Sequence, residues 1–363
     1  MEKIKSVYIH IPFCSSICSY CDFCKVVYNH DWVLPYLKRL KEEIDNSYLG
    51  EEIETLYIGG GTPTCLSLPE LESLFEVLKI FKKSSNIEFT IEANINDLNS
   101  ELLSFLYKNG VNRLSIGIES FNKEKLKFMN REANFKIAKE KIALARKIGF
   151  KNINVDLMYA IPDESIAVLK QDLDKIIKLK PEHISTYSLI IEKNTLVGFN
   201  KVKPIEEERD SKMYDKICKT LKKNGYQHYE VSNFAKKGYE SKHNLTYWNN
   251  EEYYGFGCGA SGYVAAIRYE NTKSLTEYLK GNFVSSKSLM SKVDNMENEL
   301  ILGFRKLEGI QLEHFFDKFE ENMQNIFPIK PLIKSGDLIY KDGRVYINPK
   351  KLYVMNEILI KLI

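Results

Sequence analysis

The sequence lacks the features that define several common protein classes. It has no run of about 18 apolar residues, and its N-terminal stretch MEKIKSVYIHIPF has too short an apolar part, interrupted by proline, for a spanning helix or a secretory leader. Neither sign of charge is in excess, because 52 Lys and Arg stand against 49 Asp and Glu. We therefore expect a cytoplasmic protein with no integral membrane segment and no nucleic acid partner.

The cysteines are not spread along the chain as a disulfide framework would be. A chain of 363 residues also buries enough core to need no disulfide or metal staple. Four of the seven cysteines fall within eleven residues, at Cys14, Cys18, Cys21 and Cys24. The others are predicted to be small buried side chains, at Cys65, Cys218 and Cys258. Clustering of this kind indicates ligation of a metal or an iron–sulfur cluster.

From residue 5 to about 230, short β-rich runs alternate with longer amphipathic patterns, which is typical of a parallel sheet built from βα units. Strands are predicted at residues 6–11, 54–58, 87–92, 113–116, 154–157, 183–189 and 228–231. Helices are predicted at residues 33–48, 68–81, 100–108, 135–148, 166–179 and 206–224, several of which end at a glycine. This number of units predicts an open or partial barrel, an α/β fold.

After about residue 235 the pattern changes, because glycines interrupt an aromatic-rich stretch before helices resume near residue 295. The tail at 338–347 predicts a hairpin around Asp342-Gly343, flanked by helices, as in a small winged-helix-like unit. Mixed charge gives this unit no basic face, so a structural role is favoured over DNA binding. We divide the chain into a core domain (1–235), a segment that faces the substrate (236–285) and a C-terminal helical domain (286–363).

The spacing C-x3-C-x2-C directly after the first strand has two interpretations. Three thiolates can hold three irons of a [4Fe–4S] cube and leave the fourth iron open for a substrate. Alternatively, Cys24 adds a fourth thiolate and completes a closed zinc site. The flanking residues, YIHIPFC at 8–14 and CSYCDF at 18–23, resemble the cluster loop of radical S-adenosylmethionine (SAM) enzymes, in which SAM chelates the open iron. That resemblance makes Cys14, Cys18 and Cys21 the cluster ligands and leaves Cys24 out.

Polar groups follow the other predicted strands, at the end where barrel enzymes carry their chemistry. The second strand runs into Gly59-Gly60-Gly61-Thr62-Pro63, whose backbone can approach a ligand such as the amino group of methionine. Glu92 and Glu119 follow the next two strands and are suited to ribose hydroxyls. Asp156 on the fifth strand and Arg131 add anchors, the latter for a carboxylate.

Taken together, these segments are similar to the radical SAM family that contains the oxygen-independent coproporphyrinogen III oxidases and the HemW-type haem chaperones. The resemblance also includes LSIGIESF at 114–121, HISTYSL at 183–189, HNLTYW at 243–248 and ENELILGFRKLEGI at 297–310. It implies a partial (β/α)6 barrel with a smaller C-terminal helical domain. It also implies SAM contacts by Tyr8, Tyr20, Gly60, Gly61, Thr62, Glu92, Glu119, Arg131 and Asp156.

Within this family the chain resembles the haem chaperones more than the oxidases. The oxidases carry a further cysteine two residues after the third, where this chain has Phe23, and its motif HNxxYW is the one found in the chaperones. The resemblance implies haem or a related porphyrin as ligand, with His243 as its iron ligand, and a recipient apo-hemoprotein as partner. A homodimer is compatible with it. SAM-dependent decarboxylation of coproporphyrinogen III is the alternative. Glu119 replaces a common Gln, and Ser261 replaces a common His.

Overall fold

The computed structural model of the protein describes residues 3–363. The strands are β1 (Ser6–Ile11), β2 (Phe13–Cys14), β3 (Val26–Val27), β4 (Glu52–Gly60), β5 (Lys82–Asn94), β6 (Arg113–Glu119), β7 (Asn152–Tyr159), β8 (His183–Ser188), β9 (Gln227–Glu230), β10 (Asn233–Ala235), β11 (Tyr254–Phe256), β12 (Ser261–Val264), β13 (Ile267–Asn271), β14 (Val284–Leu289), β15 (Ile310–Gln311), β16 (Leu338–Lys341) and β17 (Arg344–Ile347).

The helices are α1 (His30–Ser47), α2 (Leu68–Val77), α3 (Ser100–Lys108), α4 (Lys123–Met129), α5 (Phe135–Ile148), α6 (Ile166–Leu179), α7 (Leu196–Phe199), α8 (Glu207–Lys223), α9 (Lys242–Trp248), α10 (Leu275–Leu279), α11 (Lys292–Gly303), α12 (Leu312–Phe319), α13 (Met323–Ile326), α14 (Ile329–Lys334) and α15 (Met355–Ile360). Short 3-10 turns lie at Pro63–Cys65, Leu78–Ile80 and Pro349–Val354.

The core of the molecule is a parallel sheet in which β1, β4, β5, β6, β7 and β8 pair in that order. A helix follows each of these strands, because a parallel pair needs a crossover connection. Beyond β1 the sheet continues with β11, and beyond β8 it ends in the antiparallel pair β10 and β9. Since β11 and β9 stand at opposite ends of the strand order, the barrel is partial, and the predicted (β/α)6 fold is confirmed.

Helices α3, α5 and α6 begin and end where the sequence predicts, because local capping fixes them, whereas α1 begins three residues earlier than predicted. Asn99 accepts a hydrogen bond from the backbone N–H of Leu102 at the start of α3, and Ser165 does the same for Val168 in α6. Gly149 caps α5 with a φ of 136°, in the left-handed region that glycine tolerates best. The predicted helix 68–81 is shorter, since α2 ends at Val77 and passes into the 3-10 turn.

The last predicted strand of the core is present as β9, but it does not extend the parallel sheet directly. Only two residues separate β9 from β10, which is too short for a crossover, so the chain forms a hairpin. Strand β10 then inserts between β8 and β9.

The segment 236–285 returns to the barrel, because it supplies β11 beside β1 and then β12 and β13 of an antiparallel sheet, whose third strand β14 extends past residue 285. In the C-terminal part, β16 and β17 form the predicted hairpin, with Asp342 and Gly343 at φ of 51° and 75° as such a turn requires. Strand β15 adds to it beside α12–α14, a winged-helix-like arrangement. Among residues 3–363, no helix is long and apolar enough to cross a membrane.

Candidate functional site

The three cysteines of the C-x3-C-x2-C spacing lie on a loop that two short strands close. Strand β2 pairs with β3, and the backbone N–H of Tyr28 donates to the carbonyl of Cys14 at 2.8 Å. This pairing holds the intervening residues at the carboxyl end of the barrel. Cys14 is buried, whereas Cys18 and Cys21 are partly exposed, and all three line one cavity of about 1120 Å³.

Two hydrogen bonds reach the sulfurs from neighbouring elements. The hydroxyl of Thr62 donates to Sγ of Cys14 at 3.8 Å, and Nη1 of Arg131 donates to Sγ of Cys18 at 3.3 Å. Burial raises the pKa of the Cys14 thiol to about 11, and burial likewise raises the pKa of Cys21. Because a thiol must lose its proton to bind a metal, ligation at this loop would release protons.

Cys24 lies on the same loop but its side chain is directed elsewhere. Its sulfur is 3.6 Å from Sγ of Cys258, and the residue is not part of the cavity wall. Its carbonyl accepts a hydrogen bond from Nε2 of His10 at 2.8 Å. Within the described part of the chain, no three His, Cys, Asp or Glu side chains converge on one metal position. The arrangement therefore does not favour the four-thiolate zinc interpretation.

Glu92 stands at the end of β5 with both oxygens engaged. Oε1 accepts from the hydroxyl of Tyr57 at 2.8 Å, and Oε2 accepts from the backbone N–H of Gly60 at 3.0 Å. Burial nonetheless raises its pKa to about 7, since these two hydrogen bonds only partly offset the loss of hydration.

Glu119 and Arg131 form the charged wall next to the cysteines. Strand β6 has an irregular register between Gly117 and Glu119, and Glu119 has a φ of 66°, which is strained for a non-glycine residue. Burial raises the pKa of Glu119, and the guanidinium of Arg131 opposes that rise. Nη2 of Arg131 also donates to the carbonyl of Gly117 at 2.7 Å. Oε2 of Glu119 is buried without a hydrogen-bond partner, so this acceptor is available to a ligand.

Asp156 completes the polar floor of the cavity from β7. Its Oδ1 accepts from Nδ2 of Asn154 at 2.8 Å, and burial raises its pKa to about 7. The structure thus brings eight of the nine predicted SAM contacts to the cavity wall, at Tyr20, Gly60, Gly61, Thr62, Glu92, Glu119, Arg131 and Asp156.

Packing against neighbouring protein atoms explains the glycines at the end of β4, whereas the sequence analysis explained them by the approach of a ligand. A Cβ atom at Gly60 would lie 2.7 Å from the ring of His10, and one at Gly61 would lie 2.5 Å from the carbonyl oxygen of Phe13. Their missing side chains therefore make room for the first strand and the cysteine loop. The backbone of both residues still lines the cavity.

Tyr8 and His243 do not line the cavity. The hydroxyl of Tyr8 is 3.0 Å from Nδ1 of His10, and its ring packs inside the barrel. His243 lies on α9, with Nδ1 2.7 Å from Oγ1 of Thr55 and Nε2 2.7 Å from the hydroxyl of Tyr247. Thr55 precedes the cavity end of β4 by five residues, or roughly 16 Å along a strand. Burial lowers the pKa of His243 to about 3.

His243 is therefore a neutral interior residue at the opposite end of the barrel from the cysteines. Both of its ring nitrogens are engaged, so in this conformation neither can bind the iron of haem. Ligation by His243 would require α9 to move away from the sheet. Haem ligation by His243 remains a prediction, and it would require both hydrogen bonds of the imidazole to break.

Some cavity residues were not predicted from the sequence, although their spacing along the strands indicates them. Side chains two residues apart in a strand share a face. Ser115 and Gly117 line the cavity together with Glu119, and Met158 does so beyond Asp156. These residues lie two or four positions from a predicted acid on the same strand, and this spacing places them on the same face.

Comparison with known proteins agrees with this geometry. Residues 8–176 match the model of the radical SAM superfamily, and residues 290–353 match that of the HemN C-terminal domain. The solved structure of the coproporphyrinogen III oxidase HemN from Escherichia coli superimposes with a TM-score of 0.86 over 99% of this chain and 90% of that chain, at 22% identity. The fold is therefore that of a radical SAM protein, and the cysteine loop lies within the matched residues.

Two curated relatives extend over almost the full length. The heme chaperone HemW of Lactococcus lactis is 39% identical over 100% of this chain and 98% of its own length. The heme chaperone HemW of Bacillus subtilis is 37% identical over 98% of each chain. This chain belongs to the HemW family.

Proposed function

We propose that this protein is a haem chaperone, which binds haem and transfers it to a recipient apo-hemoprotein. The observation that carries the proposal is the likeness to heme chaperones over the whole chain, including α9 and the C-terminal domain. Coproporphyrinogen III oxidation is the second candidate, favoured by the shared fold. Against it stands the cysteine loop, where Phe23 occupies the position of the oxidases' extra cysteine and is 71% exposed.

The cluster that we propose is a [4Fe–4S] cube held by Cys14, Cys18 and Cys21. Two observations support it: the three cysteines line one cavity, and the sulfur of Cys24 lies beside Cys258 instead. Donors from Thr62 and Arg131 to two of the sulfurs stabilise the thiolate form. A [4Fe–4S] cluster, when bound, supplies one-electron chemistry to the sulfonium of SAM.

The SAM site that we propose is the rest of the same cavity. Its volume of about 1120 Å³ suits a ligand larger than a single nucleoside. The unpartnered oxygen of Glu119 and the carboxyl groups of Glu92 and Asp156 would accept hydrogen bonds from ribose hydroxyls or from the amino group. The guanidinium of Arg131 would hold the SAM carboxylate and screen the acids.

For haem we propose an apolar rim, defined as Phe23 and Ile190 of the cavity together with Leu196 and Phe199 of the groove that adjoins it. These side chains are exposed, Phe199 to 82%, although solvent-exposed clusters of large apolar groups are unusual. A groove of about 310 Å³ beneath Phe199 is also lined by lysines, Lys25 and Lys193. An apolar platform beside two cations complements a porphyrin face and its propionates.

One anaerobic experiment separates the candidates. Reconstituted protein receives dithionite, SAM and either coproporphyrinogen III or haem, and porphyrin products and 5′-deoxyadenosine are quantified. If the protein is a haem chaperone, it should bind haem and transfer it to an apo-hemoprotein, and no protoporphyrinogen should form. Formation of protoporphyrinogen would refute it.

The rim is tested separately by haem titration of Phe199→Ser. We expect haem affinity at least about fivefold lower, because burial of such a ring contributes roughly 1–2 kcal/mol. The matched control is Leu49→Ser, an apolar residue exposed to 80% before β4, which should leave haem affinity unchanged. Equal affinities in all three proteins would exclude the rim.

The cellular setting is part of the proposal. Clustered thiols that bind iron need a reducing compartment, so we expect a cytoplasmic protein. A homodimer is also expected, and light scattering of the cluster-loaded protein would test it.

A further inference from the structure

Two cysteines outside the proposed cluster set lie side by side. Sγ of Cys24 is 3.6 Å from Sγ of Cys258, although 234 residues separate them in sequence. Each thiol also has a carbonyl acceptor, Lys273 at 3.4 Å from Cys24 and Thr272 at 3.1 Å from Cys258. The pair therefore joins the end of the cysteine loop to the turn after β11 and the segment after β13.

The backbone at this point is packed so that the two sulfurs stay together. A Cβ atom at Gly259 would lie 2.3 Å from Cβ of Cys24, so the glycine lets the cysteine loop approach the turn. The bond between Nε2 of His10 and the carbonyl of Cys24 fixes the other side. Since an S–S bond measures about 2.0 Å, the sulfurs need to approach by only about 1.6 Å to form one.

We propose that Cys24 and Cys258 are a thiol–disulfide modification site, which a low-molecular-weight disulfide such as glutathione disulfide oxidises while the cluster cysteines stay ligated. The proposal does not depend on haem binding. It assigns a role to two of the cysteines that cluster ligation leaves unused.

The chemistry balances in two exchange steps. The thiolate of Cys24 attacks one sulfur of glutathione disulfide and expels a glutathione thiolate, which leaves a mixed disulfide. The Cys258 thiol then gives its proton to solvent base, and its sulfur attacks the Cys24 sulfur and expels the second glutathione. Two protein thiols are oxidised, and one glutathione disulfide is reduced to two glutathione thiols.

The two thiols differ in exposure and in pKa, and the difference fits a first attack by Cys24 and a second attack by Cys258. Cys24 is partly exposed, and its hydrogen bond with Cys258 lowers its pKa, so it is the accessible nucleophile. Cys258 is buried, and its pKa is raised, chiefly by the hydrogen bond with Cys24 and then by burial. The first step caps Cys24 as a neutral mixed disulfide, which removes the main cause of that rise before Cys258 has to react.

The test uses cluster-loaded protein under anaerobic conditions. The protein is incubated with glutathione disulfide, quenched with N-ethylmaleimide and mapped as peptides. Of the four cysteines outside the proposed ligand set, Cys24, Cys65, Cys218 and Cys258, two should lose their thiols in a single cross-linked peptide pair. The intact chain should lose the mass of two hydrogen atoms and keep its cluster absorbance.

The matched variants are Cys24→Ala and Cys218→Ala. The cross-link should be absent from the first and unchanged in the second, which removes a cysteine that is also partly exposed but lies outside the pair. Oxidation should raise the melting temperature of wild type and of Cys218→Ala but not of Cys24→Ala. A stable glutathione adduct on Cys24 with Cys258 still alkylated, or pairing of Cys24 with Cys14, Cys18 or Cys21, would overturn the proposal. Because the readout is covalent, failure of haem binding would not affect it.

Discussion

Replacing Glu92 by Gln tests whether this half-buried acid destabilises the protein and serves to bind a ligand. Burial raises its pKa from 4.5 to about 7, so the folded protein holds the proton to a higher pH than the unfolded chain does. The Glu92 contribution to the free energy of unfolding therefore falls as the pH rises from about 4.5 to about 7, and it stays low above that range.

The size of the effect follows from the shift. A change of about 2.5 pKa units corresponds to about 3 kcal/mol at 1.36 kcal/mol per unit. Glutamine carries no charge and fits the same space, with an oxygen for the N–H of Gly60 and an amide group beside Tyr57. Glu92→Gln should thus be up to about 3 kcal/mol more stable than wild type at about pH 8, and this gain should disappear near pH 4.5. Denaturant unfolding at several pH values measures it.

SAM binding should change in the opposite direction. If the ionised carboxylate accepts hydrogen bonds from SAM, the affinity of wild type should fall by up to about tenfold per pH unit below about 7 for each acid that must ionise. Asp156 titrates in the same range. Glu92→Gln should therefore bind SAM more weakly at about pH 8 and lose its own share of the pH dependence, as calorimetry on cluster-loaded protein would report.

Glu230 supplies the control. Burial also raises its pKa to about 7, but it lies at the end of β9, outside the cavity wall. Glu230→Gln should reproduce the gain in stability and leave SAM affinity and its pH dependence unchanged. The reasoning would fail if Glu92→Gln gained no stability relative to wild type between pH 4.5 and 8, or if both variants bound SAM equally well.

Three further outcomes are expected. Cys18→Ala should abolish the broad thiolate-to-iron absorption of reconstituted protein and Cys24→Ala should keep it; equal loss in both would make Cys24 a ligand. Gly61→Ala should cost roughly 1–3 kcal/mol of stability in denaturant unfolding, because its Cβ would press on the cysteine loop, and unchanged stability would contradict that packing. His243→Ala should lose roughly 2–4 kcal/mol of stability, since it removes a buried ring hydrogen-bonded to Tyr247. The sequence also predicts weaker haem binding by that variant with an unchanged cluster, and equal Soret shifts and affinity in a folded variant would remove His243 from the haem site.

The parallel part of the fold could be predicted from the sequence because its signals are local. Helices α3, α5 and α6 have the predicted bounds, since each has a side-chain cap at its start and a clear apolar stripe. The long-range pairings could not be predicted. Nothing local says that β11 joins the sheet beside β1, or that β10 inserts between β8 and β9.

The same division holds for the candidate site. The cysteines and strand-end acids were predicted from their spacing, because parallel strands bring their carboxyl ends to one edge. The position of His243 was not, because it depends on how α9 packs against β4 at the opposite end of the barrel. Its aromatic neighbours in sequence suggested a porphyrin face, whereas in the structure Tyr57 stacks on its ring at 5.0 Å and fills the barrel interior.

The charges of the cavity suggest why the folded protein keeps three acidic side chains together although their desolvation lowers its stability. Glu119 is buried and Glu92 and Asp156 are half-buried, and all three have raised pKa values. Arg131 lies beside them, with a hydrogen bond to the carbonyl of Gly117. SAM carries a sulfonium, an ammonium and one carboxylate, so its two cations would meet the acids and its carboxylate would meet Arg131. Binding would then place opposite charge beside the acids and allow them to ionise, which offsets the loss of stability that their desolvation causes. A neutral ligand of the same size would not do this, and the raised pKa values therefore favour a cationic ligand.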